Sequence, residues 1–146
     1  MFINLFPMLL HITPGLLLSD LQKEFNSYFP YLKLEFFNNR TYSKSDFSAS
    51  QLLPKNRKIG DSQLLVTNGE VEISEEMKVI DLEKLLKDKY SLAVQVFRKS
   101  GNLWLETTMT DNWTLKQQNN HGRELSTEYK SSQEDNDYDL NRDADR

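Results

Sequence analysis

Residues 12–36 read ITPGLLLSDLQKEFNSYFPYLKLEF, and residues 73–96 read ISEEMKVIDLEKLLKDKYSLAVQV. In the first stretch Pro14-Gly15 stops a strand over Leu10, His11, Ile12 and Thr13. Leu18, Leu21, Phe25 and Tyr28/Phe29 then recur at helical spacing, with Asp20, Gln22, Lys23, Glu24 and Asn26 between them. Pro30 lacks the N–H that would continue that helix. From Tyr31 to Phe37 the period changes to two: Leu32, Leu34 and Phe36 share one face, Lys33 and Glu35 the other. That alternation predicts a half-buried strand.

The second stretch repeats the order. Val71 and Ile73 belong to a strand, Val79, Leu82 and Leu85/Leu86 form a helical stripe, and Leu92, Val94 and Val96 form another strand. An offset of 61 places Ile12, Asp20, Leu21 and Lys23 on the identical residues Ile73, Asp81, Leu82 and Lys84. One deletion then brings Leu32, Leu34 and Phe36 onto Leu92, Val94 and Val96. Amphipathic patterning forces part of this agreement, so an internal repeat and a shared pattern both account for it. The strand–helix–strand order holds under either account.

Further elements fill the intervals. Leu64–Thr67, Asn68-Gly69 and Glu70–Ile73 predict a hairpin through a tight I′ turn. Lys99-Ser100-Gly101-Asn102 predicts a second hairpin into Leu103, Trp104 and Leu105. Asp111 is expected to cap a helix over 112–119 that ends near Gly122, with Trp113 and Leu115 or Lys116 turned to the sheet. Two β-α-β units in a mostly antiparallel sheet, with helices on one face, give an α+β class. They suggest a ferredoxin-like plait with an extra edge strand; a β-grasp (ubiquitin-like) fold is the alternative. The expected organisation is one domain over 1–122, with a mobile loop over about 38–58. A disordered acidic tail over 123–146 follows, too poor in aliphatics to offset its ordering entropy.

Composition narrows the function classes. The 146 residues are 38% apolar and 27% charged, enough for one modest core. Residues 1–122 hold 14 Lys+Arg and 14 Asp+Glu, whereas 123–146 hold 4 and 8, so the whole deficit belongs to the tail. The neutral body lacks the basic excess of an electrostatic nucleic-acid binder. The sequence has no cysteine, which excludes disulfides, thiolate zinc sites and cysteine nucleophiles and agrees with a cytoplasmic setting. Met1–Leu18 carries no charge, yet no basic n-region precedes Asp20. Asn4, Pro7, His11, Pro14 and Gly15 interrupt the roughly twenty apolar residues that a membrane span needs. A buried strand leading into a helix is therefore expected there, and no membrane span.

Alternation also sorts candidate sites. Leu32, Leu34, Phe36, Leu92, Val94, Val96, Leu103 and Leu105 are expected to face the helices. Lys33, Glu35, Phe37, Gln95, Phe97, Trp104 and Glu106 then point away. Phe37, Phe97 and Trp104, with Arg98 and Lys99 beside them, form the candidate binding face, since soluble proteins rarely leave such rings bare. The rings are open to three accounts: cover by the C-terminal helix through Trp113, a protein or homodimer interface, or base stacking with Arg98 and Lys99 on phosphate. A second candidate is a polar rim at Asp111, Asn112 and Trp113, which an ordinary turn with a capped helix would equally explain.

Catalytic constellations are poor. His11 and His121 are the only histidines, and no phosphate loop, G-x-G-x-x-G or G-x-S-x-G occurs. Glu70, Glu72, Glu75 and Glu76 read as solvated carboxylates near a helix start. No cofactor or metal site is expected. The sequence favours a non-enzymatic protein-interaction or self-association module, with a nucleic-acid-binding plait and a small-ligand domain as alternatives.

Overall fold

The computed structural model describes residues 7–38, 51–62 and 68–128. Its elements are β1 (Met8–Ile12), α1 (Leu18–Tyr28), β2 (Leu32–Phe37), α2 (Ile59–Ser62), β3 (Gly69–Ile73), α3 (Val79–Tyr90), β4 (Ala93–Ser100), β5 (Leu103–Glu106) and a closing helix α4 over 115–128. The class is α+β. Both β-α-β units are present and all strand pairs are antiparallel. Where alternation suggests one sheet, the described strands pair as two, β1-β3 and β2-β4-β5.

The helices bury the stripes their sequences carry. α1 buries Leu18, Leu21 and Phe25, and α3 buries Val79, Leu82, Leu86 and Tyr90. Leu10, Ile12, Val71 and Ile73 from one sheet join Leu32, Leu34, Phe36, Leu92, Val94 and Val96 from the other in a single core. At about 25 cal/mol per Å² of apolar surface removed from water, this shared burial is the main force holding the two sheets together. α3 ends on Ser91, which adopts the left-handed conformation (φ 56°) and donates its N–H to the Lys87 carbonyl at 3.0 Å. That 5→1 bond makes an αL cap, and Leu92 N–H reaches further back, to the Leu86 carbonyl at 3.1 Å.

Both central ladders are centred on equivalent positions of the two stretches. Leu10 faces Val71, its number plus 61, and Glu35 faces Gln95, its number plus 60. The helix starts match as well. Leu18 and Ser19 N–H donate to the carbonyls of Arg57 and Lys55, both at 2.9 Å, while Ile59 and Gly60 donate back to Leu16 and Pro14 at 2.7 and 3.0 Å. In the second half Val79 and Ile80 donate to Trp113 and Asp111 at 3.0 and 2.8 Å, and Leu115 and Lys116 donate to Met77 and Glu75 at 2.8 and 3.0 Å. Each pair of helices thus satisfies its otherwise orphaned N–H groups from the turn ahead of the other helix.

Several expectations change. Residues 51–58, placed in the mobile loop, form a strand bridge from Leu52 to Phe37 and the turn that caps α1. Residues 39–50 lie outside the described residues, as do Leu64–Thr67. Gly69 is no turn residue: it pairs with Ile12 inside β3, and a Cβ there would sit 2.1 Å from the Tyr90 hydroxyl. The glycine at positive φ is Gly101 (φ 67°), the first central residue of the β4–β5 hairpin, in the pattern of a II′ turn. The last helix starts after Thr114 rather than Asp111. Thr114 Oγ1 accepts the Gln117 N–H at 3.1 Å and Gln117 Oε1 accepts the Thr114 N–H at 2.9 Å, a reciprocal capping box. That helix runs to residue 128, so the boundary expected at Gly122 falls within it; residues 129–146 lie outside the described residues.

Candidate functional site

The β4–β5 hairpin sets the geometry of an open surface. Lys99 faces Trp104, Arg98 faces Leu105 and Ser100 faces Leu103. β5 is the outer strand of its sheet. With Ser100 and Leu103 closing a two-residue turn, alternation aims the N–H and C=O of Trp104 and Glu106 outward. Among the described residues nothing bonds to that edge.

Leu103 and Leu105, expected to face the helices, are 60% and 43% exposed, and nearby Met109 is 95% exposed. They do share the core-facing side of the sheet with Val96 and Arg98. However, α4 stops one strand short. Gly122 lies against Tyr31, Arg98 and the Lys99 carbonyl, so the helix covers the end of β4 and leaves β5 outside.

The expected aromatic face is divided. Phe37 is buried, 3% exposed, beside the strand bridge at Leu52, so it belongs to no open surface. Phe97 is half-buried between its cross-strand partners Lys33 and Glu106. Trp104 is half-buried too, with the Lys33 ammonium 4.9 Å from its ring centroid. Gln22, Lys23 and Asn26 of α1 join Lys33 and Trp104 around a hollow of ≈190 Å³. The Gln22 and Asn26 amides are fixed there by donating to the Leu34 and Leu32 carbonyls at 2.7 and 2.9 Å.

The middle of that face is polar and closed. Glu35 and Gln95, opposite one another, are both buried. Lys33 and Lys55 reach Glu35 Oε1 at 3.0 and 3.2 Å, and Gln95 Nε2 donates to the Thr108 hydroxyl at 2.5 Å. Alternation turns these positions away from the helices, but it cannot see what packs over a second face.

Arg98 does not join Trp104 and Lys99. It projects from the other face, where its guanidinium donates to Gln118 Oε1 of α4 at 2.9 Å. No carboxylate pairs with it among the described residues, and burial lowers its pKa. Asp111, Asn112 and Trp113 form the turn that caps α3 through the Asp111 and Trp113 carbonyls, and the Trp113 ring meets His121 edge-on at 5.6 Å. The rim therefore has a structural task already.

Among the acidic residues, Glu72, Glu75 and Glu76 line a hollow of ≈450 Å³ with Pro7, Met8, Ile73 and Ser74. No group of side chains that could hold a metal ion occurs among the described residues. Glu70 instead approaches His11 Nε2 at 3.4 Å, while Glu24 takes Nδ1 at 2.7 Å. Sequence reasoning missed this cluster because α1 brings Glu24 across thirteen residues of chain. No helix of the described residues is long and apolar enough to cross a membrane. No family model matches the chain, and neither a curated protein nor a solved structure matches it.

Proposed function

We propose that this chain is a non-enzymatic protein-interaction domain that receives an extended segment of a partner, with a carboxylate beside Trp104, on the open edge of β5. The observation that carries the reading is the combination on one short strand: outward backbone groups, exposed Leu103 and Leu105, and Trp104 in a lysine-lined hollow. Strand addition uses such an edge for affinity and the flanking side chains for selection. Lys23 and Lys99 flank Trp104, which favours a carboxylate beside that ring. A cytoplasmic setting belongs to the same reading, supported by a sequence without cysteine.

Base stacking fits less well. The Lys33 ammonium occupies one of the ring faces that a nucleobase would use, and Phe37 is unavailable. Self-association would use the same edge and is separated from partner binding by its dependence on protein concentration. The test is amide NMR of the full chain titrated with an extended peptide that carries a carboxylate between aliphatic residues. Shifts confined to residues 103–106 and their β4 neighbours are expected; an unchanged β5 ends the proposal.

A further inference from the structure

We infer that the partner segment carries an acidic residue opposite Trp104, flanked on both sides by aliphatic residues, with a basic residue opposite Glu106. This rests on the strand-addition reading and names the chemistry it selects. An added strand places successive side chains on opposite faces of the sheet. On one face its residues meet Leu103 and Leu105, whose 60% and 43% exposure leaves apolar surface to cover. On the other they meet Trp104 and Glu106 in turn. Lys99 stands directly across from Trp104 and Lys23 lines the hollow beside it, so a carboxylate is favoured at that position; Lys33, over the ring, is already paired with Glu35. Glu106 faces Phe97 and repels a second carboxylate directly opposite.

Antiparallel addition, the slightly more stable pairing, fixes the order from the partner's N-terminus as basic, aliphatic, acidic, aliphatic. The register is specified because a slip of one residue would turn every aliphatic side chain onto the lysine face.

The experiment titrates the full chain with three capped peptides while following the β5 amides and Trp104 fluorescence in a Trp113→Phe background. The first peptide is Thr-Lys-Val-Glu-Val-Thr; the second, Thr-Val-Val-Lys-Glu-Thr, has its composition without the alternation; the third, Thr-Lys-Val-Lys-Val-Thr, replaces the acid. The first is expected to bind at least about tenfold more tightly than either of the others, a difference near 1.4 kcal/mol. Equal binding by the first two overturns the alternation, and equal binding by the first and third overturns the charge preference; both leave edge docking intact. If no peptide moves the β5 amides, edge docking itself fails. Line broadening at β5 that grows with protein concentration and is not displaced by peptide assigns the edge to a second copy and overturns the inference.

Discussion

His11 and Glu24 are joined twice: Glu24 Oε2 lies 2.7 Å from the His11 ring Nδ1, and Glu24 Oε1 accepts the His11 backbone N–H at 2.6 Å. This ties α1 to β1, and Glu70 adds a contact from β3. The Glu24 hydrogen bond and charge, with a smaller contribution from Glu70, raise the imidazole pKa above its ordinary 6.5. A raised histidine pKa stabilises the fold fully below 6.5, and that stabilisation is lost as pH rises through the raised value. Glu24→Gln should bring the His11 titration midpoint down and flatten the stability profile across that window. Imidazole NMR titration checks it; an unchanged midpoint means that the pair does not persist in solution.

Glu83 covers the edge of β4 beyond the end of β5. Its Oε2 accepts the Val96 N–H at 2.9 Å, while the Thr107 hydroxyl donates to the Val96 carbonyl at 2.8 Å. Glu83→Ala leaves a buried N–H without this acceptor and should cost about 1–3 kcal/mol in urea unfolding. Glu83→Gln retains an acceptor and should cost less. Equal losses would show that packing, not the hydrogen bond, sets the effect.

Ser91 pays the strain of a left-handed cap that glycine adopts freely. Ser91→Gly should therefore raise stability by roughly 0.5–1 kcal/mol, whereas Ser91→Ala should not. Calorimetry decides, and a destabilised glycine variant would contradict the cap geometry.

Gly122 lets α4 lie directly on the sheet. A Cβ there would stand 2.9 Å from Tyr31 Cβ and 3.2 Å from the Lys99 carbonyl. Gly122→Val should lose about 1–3 kcal/mol by overpacking, while Glu124→Ala, on the exposed side, should be nearly neutral. Ending the chain after residue 114 removes fully buried Leu115 and should destabilise far more than ending it after 128. Melting curves of the four proteins test this.

The regular elements were legible because their periods are. Leu18, Leu21 and Phe25 announce a helix, and Leu32, Leu34 and Phe36 a strand, by spacing alone, and each is buried as that spacing requires. What spacing cannot convey is which strand lies at the edge and what covers a second face. Leu103 and Leu105 have the right parity but stand beyond α4; Phe37, Glu35 and Gln95 have the outward parity and are buried. The T-x-x-Q signal at Thr114 and Gln117 was present in the sequence and outweighs the Asp111 start. The His11 cluster left no local signal, since its members meet only through tertiary packing.

At the mutually capped helix starts, the bonds that join each turn to the other helix run from main chain to main chain, so the pairing of the turns places little demand on side-chain identity. Pro14-Gly15-Leu16-Leu17, Lys55-Asn56-Arg57-Lys58, Glu75-Glu76-Met77-Lys78 and Asp111-Asn112-Trp113-Thr114 have no position at which all four agree. A scaffold whose joints are written in peptide groups can keep its shape while its letters drift.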